Sequence, residues 1–161
     1  MRIRPMESAD IPAAVRVEIA CFSAPWSAAA FASSLASGNT FFLLAEDKGA
    51  PAGYIGVQLL PPEGDILNLA VLPEYRRQGV GRALLEAALV RCRAGGADAV
   101  MLEVRASNTA AQRLYASAGF RPVGRRKDFY TAPAEDALLM RVQLGDPDGG
   151  MPLATRRESD G

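Results

Sequence analysis

The sequence predicts a single α/β domain built on a mixed sheet, and three observations carry that expectation. Helical stripes alternate with apolar, strand-like runs through residues 1–144, as they do where helices pack on a sheet. Two of those runs meet at Asp47-Lys48-Gly49-Ala50-Pro51, a hairpin-like turn that makes sequence neighbours sheet neighbours. The 161 residues, 49% hydrophobic and 22% charged, suffice for one ordinary core. The alternation stops at the end: 145–161 holds Gly, Pro and Asp without periodicity and is expected to be a disordered tail.

Each element has its own signal. Arg2-Ile3-Arg4 reads as a short first strand. Ile11, Val15, Ile19 and Phe22 recur at spacings of four, four and three, which marks one helix face, with Asp10 as N-cap and Pro12 in the first turn. Ser27 opens a second helix with Phe31 and Leu35 on one side, ended by Gly38-Asn39. Strands are expected at 41–46, 53–60 and 65–72. Leu84, Leu85, Ala88, Leu89 and Cys92 form a helical stripe closed by Gly95-Gly96. A fifth strand at 99–104 leads through Ser107-Asn108 into a helix bearing Leu114 and Ala118, stopped by Gly119. Strands at 122–130 and 137–144 complete the domain.

Composition narrows the chemistry. Eighteen basic residues balance eighteen acidic ones, so no global field favours nucleic acid or an anionic membrane, and any anion site is local. Histidine is absent, which removes His-based triads and His-ligated zinc, and no metal is expected. Cys21 and Cys92 lack a C-x-x-C spacing and sit among apolar residues, as reduced core thiols do. No apolar run reaches the ~20 residues of a membrane span, and the opening MRIRPMESAD is too polar for a signal peptide. These features predict a cytoplasmic protein.

The most informative stretch runs from Leu69 to Leu85. An apolar strand stops at Pro73, a polar loop carries arginines, and Gly79 and Gly81 open a helix. The first turn of a helix offers backbone N–H groups without internal partners, and glycine keeps side chains out of an anion's way. The helix dipole alone supplies only ~0.3–1 kcal/mol, so converging N–H donors with Arg77 and Arg82 must supply most of the affinity. A pyrophosphate fits that geometry. No Gly-Lys pair exists for a P-loop, and Leu84 stands where a dinucleotide fingerprint needs its third glycine. The plain alternative is an ordinary glycine-containing helix start with solvated arginines.

With its flanks, this stretch resembles the GNAT family of N-acetyltransferases, whose acetyl-CoA loop reads Q/R-x-x-G-x-G/A; Arg76, Gly79 and Gly81 match its fixed positions. Leu102-Glu103-Val104-Arg105-Ala106-Ser107-Asn108 and Leu114-Tyr115-Ala116-Ser117-Ala118-Gly119-Phe120 fall where the family has its fifth strand and following helix. Pro25-Trp26-Ser27, Leu67-Asn68-Leu69-Ala70-Val71 and the run 124–130 followed by Glu135-Asp136-Ala137 are most similar to the ribosomal-protein-alanine branch of the family. Asp128 departs from that branch, where Asn is more usual, at a place able to touch the acceptor. The resemblance implies a mostly antiparallel sheet flanked by helices and splayed between strands 4 and 5, over residues 1–144. It implies acetyl transfer from acetyl-CoA to a protein's N-terminal amine, the alanine of the eighteenth small-subunit ribosomal protein in that branch. Lysine side chains or small-molecule amines as acceptors, and a non-catalytic acyl-CoA-binding module, stay open as alternatives.

The resemblance also assigns roles. Backbone groups of Leu69, Ala70 and Val71 would pair with the pantetheine arm, with the Val71 N–H near the acetyl oxygen. Arg77, Gln78, Gly79, Val80, Gly81 and Arg82 would cradle the diphosphate. Asn108 would bond the same arm or simply cap a helix. Glu103, inside the apolar run 100–104, is the candidate base, partial desolvation making it a stronger one; simple alternation, with Glu103 facing out, is the competing reading. Tyr115 is the candidate acid for the departing thiolate, or else a core aromatic; free-solution values of ~10 for tyrosine and ~8.5 for a thiol make the transfer only mildly uphill. Trp26 and Tyr130 would frame the acceptor, or belong to the core.

Overall fold

Along the chain run β1 (Arg2–Pro5), α1 (Ile11–Cys21), α2 (Ala28–Ala36), β2 (Thr40–Asp47), β3 (Ala50–Leu60), β4 (Glu63–Val71), α3 (Val80–Ala94), β5 (Ala99–Arg105), α4 (Thr109–Ser117), β6 (Arg121–Thr131) and β7 (Ala134–Gln143), with 3₁₀ turns at Ser8–Asp10 and Pro73–Tyr75. This computed structural model describes residues 1–131 and 133–145; apart from Gly145, the tail expected at 145–161 lies outside the described residues. The strands form one seven-stranded sheet in the order β1-β2-β3-β4-β5-β7-β6. Pairing is antiparallel for β1–β2, β2–β3, β5–β7 and β6–β7 and parallel for β4–β5, so the mixed, mostly antiparallel sheet expected from the sequence is present. The parallel ladder joins Glu63–Asp65 to Ala99–Met101 and ends there, as a splayed pair requires.

The chain divides into two compact units, Met1–Gln58 with Ile66–Ala88, and Leu59–Asp65 with the chain from Leu89 on. In the first, Met6, Ile11, Ala14, Val17, Phe31, Phe42, Leu44, Tyr54 and Ala70 make one buried cluster. Its centre is aromatic: Phe31 lies 5.5 Å from Phe42 and 5.4 Å from Tyr54, tilted or edge-on as ring quadrupoles prefer. Ser27 caps α2, its Oγ accepting the Ala30 N–H at 3.1 Å. Leu84, Leu85 and Ala88 of α3 are fully buried, as their stripe predicts. In the second unit β5 and β7 pair over seven residues, Ala99↔Gln143 to Arg105↔Ala137. Val100, Leu102, Val104, Phe120, Met140 and Val142 are buried there.

Two sequence expectations in α1 are corrected. Its buried residues are Ile11, Ala14, Val17 and Glu18, whereas Ile19 is 64% exposed and Phe22 37% exposed. The expected stripe holds at its start, where Ile11 is buried and Val15 packs against the core cluster, and fails towards the helix end, where Val17 and Glu18 turn inward in place of Ile19 and Phe22. Asp10 sits at the N-cap of α1 without capping it. Its carboxylate instead accepts from both terminal nitrogens of Arg4, at 2.8 and 2.7 Å, and from the Glu7 N–H at 2.9 Å. The Arg4 guanidinium accordingly holds Asp10 below the usual carboxylate range.

Candidate active site

In the first unit the end of β4 passes into a loop braced by its own side chains. The Tyr75 N–H donates to the Leu72 carbonyl at 2.9 Å and Gln78 Nε2 to the Glu74 carbonyl at 3.1 Å. Arg76 Nε donates to the Val71 carbonyl at 3.0 Å, and Nη2 lies 3.6 Å from Cys21 Sγ, which itself donates to Val71 at 3.4 Å. Arg76 thus ties the loop to the end of β4, a structural reason for the basic residue at that motif position. Cys21 is half-buried beside the loop rather than a core thiol, and burial pushes its thiol up; Cys92 is the core thiol, pushed up to about 11 by burial. The loop then turns left-handed at Arg77 (φ 63°) and Gly79 (φ 80°). Such a backbone costs about 1–2 kcal/mol at a non-glycine residue and concentrates at functional sites.

The Ala83 N–H closes the first helical turn on the Gly79 carbonyl at 3.0 Å, so the amides of Val80 and Gly81 precede the hydrogen-bonded ladder. A side chain at Gly79 would meet nothing within 4 Å, so glycine is required there by φ and not by space. Arg77 is exposed. Arg82 gives its Nε to Glu86 at 2.7 Å, an exposed pair one turn apart. The equal cationic roles expected for the two arginines therefore separate, with Arg77 the stronger candidate. Upstream, Leu69–Val71 lie outside the parallel ladder that ends at Asp65, and their backbone is packed closely by Gly53.

In the second unit β5 alternates as the competing reading of Glu103 anticipated: Leu102 and Val104 are buried and Glu103 faces out. Its side chain is 35% exposed, and Oε2 lies 3.5 Å from Arg126 Nε. Glu103 thus stands at an outward position of a strand with one buried face. Tyr115 is buried on α4 against Phe120, ring centres 5.6 Å apart. Among the described residues the hydroxyl has no hydrogen-bond partner and no buried side-chain polar atom is left unpaired, so the hydroxyl tip reaches accessible space. Burial first, then the field of Tyr130, pushes the Tyr115 phenol well above the ordinary tyrosine range. Proton transfer from Tyr115 to a thiolate is thus steeper than free-solution values imply. Tyr130 is itself pushed up, by burial first and the Glu103 charge second, and the Arg105 guanidinium stacks 4.3 Å from its ring centre. Tyr130 therefore lies within electrostatic reach of Glu103 on one side and of Tyr115 on the other.

The GNAT acetyltransferase family model matches residues 11–120. The chain belongs to this family. It is 38% identical over 144 residues to the ribosomal protein bS18-alanine N-acetyltransferase of Escherichia coli, covering 88% of this chain and 97% of that protein. It is 41% identical over 127 residues to the N-alpha-acetyltransferase RimI of Mycobacterium tuberculosis, 76% of this chain and 78% of that one. Among solved structures, the ribosomal-protein-alanine N-acetyltransferase of Escherichia coli superimposes with a TM-score of 0.82 at 37% identity, covering 88% of this chain and 92% of that one. Ard1 from Thermoplasma volcanium follows at 0.81 and 28%, over 88% and 96%.

Several residues of this GNAT chain have structural duties that sequence reading missed. Glu135 accepts the Ser107 N–H at 2.6 Å and Arg105 Nη1 at 3.3 Å, pinning the β5–α4 connection; the Ser107 contact is the main cause holding its carboxyl below the usual range. Asp136 accepts the Asp128 N–H at 2.9 Å and Arg125 Nε at 2.8 Å. These bonds secure a break in the β6–β7 register between Arg126 and Tyr130, where Asp128 takes φ 53°. Asn and Asp both tolerate that left-handed position, so the departure from Asn at 128 is conformationally conservative. Asn108 caps α4, its Oδ1 accepting the Ala111 N–H at 3.1 Å, so only its amide nitrogen is left to serve a ligand. Trp26 packs on Phe31 at 5.3 Å and Phe42 at 6.2 Å and is half-buried, an aromatic of the core edge. Its backbone leads to a residue that sequence reading passed over altogether, Glu18, whose carboxylate accepts the Trp26 N–H at 2.7 Å.

Proposed function

We propose that this chain transfers an acetyl group from acetyl-CoA to the N-terminal α-amine of a protein, with the N-terminal alanine of a ribosomal protein as its acceptor in the cytoplasm. The observation that carries the choice of an α-amine is the state of Glu103. Its carboxylate lies on the outward face of β5 with Oε2 3.5 Å from Arg126 Nε, so a cation competes for the lone pairs that would take a proton. An α-amine has a pKa near 7.7–8.0 against about 10.4 for lysine, so an appreciable fraction is neutral at physiological pH and asks little of such a base. A lysine acceptor would ask over two pH units more. The names of the relatives support the same reading.

The chain's own groups then divide the work. The amides of Gly79, Val80 and Gly81 with Arg77, and secondarily Gln78 and Arg82, hold the diphosphate. The backbone of Leu69, Ala70 and Val71 receives the pantetheine arm as an added strand. Glu103 takes the proton released by the attacking amine, directly or through water. Tyr115, kept protonated by burial, delivers its proton to the sulfur as the C–S bond breaks. Desolvation raises the basicity of a thiolate as well as that of a phenol, which restores part of the driving force. Trp26 in the first unit and Tyr130 in the second are each assigned to acceptor binding. The test offers an alanine-initiated peptide with an internal lysine, with its terminus free or blocked, and follows thiol release and product mass. Acetylation lost on blocking supports the proposal; acetylation retained on the lysine refutes it, and coenzyme binding without turnover on any peptide points to a binding module instead.

A further inference from the structure

Glu18 is the single buried charged residue among those described, 0% exposed. Oε1 accepts the Trp26 N–H at 2.7 Å, and Oε2 accepts from the Tyr54 hydroxyl and from Asn68 Nδ2 at 2.8 Å, while Asn68 Nδ2 also lies 3.0 Å from the Tyr54 oxygen. One carboxylate therefore joins α1, the connection between α1 and α2, β3 and β4. Three donors on two oxygens leave the group well satisfied, and none of the donors is a cation. Burying a carboxylate is costly even when bonded, and an apolar side chain of similar volume commonly stabilises a fold as well or better. What the carboxylate alone supplies is direction: the Trp26 main chain is held at one point, and so is Asn68, the residue immediately before Leu69–Val71.

We propose that Glu18 is a positioning residue that fixes the Trp26 segment against β4, so that the acceptor-side aromatic and the strand receiving the acetyl donor keep one register. This rests on the proposed function for the roles of Trp26 and β4. Its reach is the acceptor: the diphosphate loop is braced separately, through Arg76 and Gln78.

The test uses the full chain carrying Glu18→Gln. The amide has one acceptor oxygen and presents an NH₂ to groups that are themselves donors, so at least one arm is lost. We expect the KM for an alanine-initiated peptide to rise about tenfold, as loss of one buried hydrogen bond implies, with the KM for acetyl-CoA within about threefold of wild type. Trp26 is the chain's one tryptophan, so its emission reports on the segment directly and is expected to shift to longer wavelength with easier acrylamide quenching. Tyr54→Phe separates positioning from stability: it removes a different arm, lowers the melting temperature, and leaves acceptor KM and Trp26 emission near wild type. If Glu18→Gln does not fold, Glu18→Asp, which retains the charge but withdraws it by a methylene, carries the same expectations. A folded variant with unchanged acceptor KM and unchanged emission overturns the proposal, as does an equal rise in both KM values. Should wild type acetylate no α-amine peptide, the proposed function fails, and the Trp26 emission alone decides whether Glu18 holds the segment.

Discussion

Replacing Tyr115 by phenylalanine separates chemistry from folding more cleanly than any other substitution in the candidate site. The ring is buried against Phe120 and stays so in the variant. Among the described residues the hydroxyl has no hydrogen-bond partner, so its removal strands no buried donor or acceptor, and the stability change should stay within about 0.5 kcal/mol. The chemical effect is far larger. A positioned general acid is worth roughly 10²–10⁴-fold, or about 2.7–5.4 kcal/mol at 1.36 kcal/mol per decade. Burial moves the Tyr115 phenol away from the working pH, which weakens it as an acid and places the expected loss at the lower end, about 10²-fold in kcat. Thiol release at saturating acetyl-CoA and peptide measures kcat, and the KM for acetyl-CoA should stay within about threefold. A donor thioester with a more acidic thiol should lose less, because its thiolate departs without help. A kcat within twofold of wild type, with the fold intact, would refute the assignment of Tyr115 as the acid; a large fall in melting temperature would refute the account of its hydroxyl.

Other substitutions and conditions test separate links. Glu103→Gln should lower kcat/KM about 10²-fold, most below pH ~7.5 where the α-amine still carries its proton, and a deficit that does not change with pH would exclude Glu103 as the base. Asp128→Asn should leave stability within about 0.5 kcal/mol, while Asp128→Val, a β-branched residue forced to φ 53°, should lose about 1–2 kcal/mol on urea denaturation. Gly53→Ala would place its Cβ 2.5 Å from the Ala70 carbonyl oxygen and 3.1 Å from Val71 Cα, both backbone, so β4 must move; we expect a loss of about 1–3 kcal/mol by denaturation and a raised KM for acetyl-CoA. Burial raises the Tyr54 and Tyr115 phenols above 10, so the native chain keeps protons that the unfolded chain releases. Stability should therefore fall as pH rises past 10, by up to about 1.4 kcal/mol per pH unit for each group, and a flat denaturation midpoint between pH 9 and 11 would contradict their burial.

Much of this protein was legible in one dimension because the signals concerned are local. Apolar spacing within a dozen residues placed the strands and helices in order, and Gly79 with Gly81 located the start of α3, since a left-handed backbone is a demand glycine announces by itself. Alternation along 100–104 placed Glu103 on the outward face, while the desolvation expected for it depended on neighbours that alternation cannot specify.

What only the tertiary structure decided involves partners distant in sequence. Spacing placed Ile11 and Val15 correctly but misplaced the end of α1, because the residue that settles it, Glu18, is polar and goes inside only where Tyr54 and Asn68, 36 and 50 positions away, converge on it. The same holds for Glu135 and Asp136, which act on residues from 8 to 30 positions distant, and for Cys21, which packs against the core cluster while its Sγ meets Arg76 of the loop 55 positions away. A periodic pattern states which side chains can leave water together; which polar groups can follow them inside depends on donors that meet only after the chain has folded.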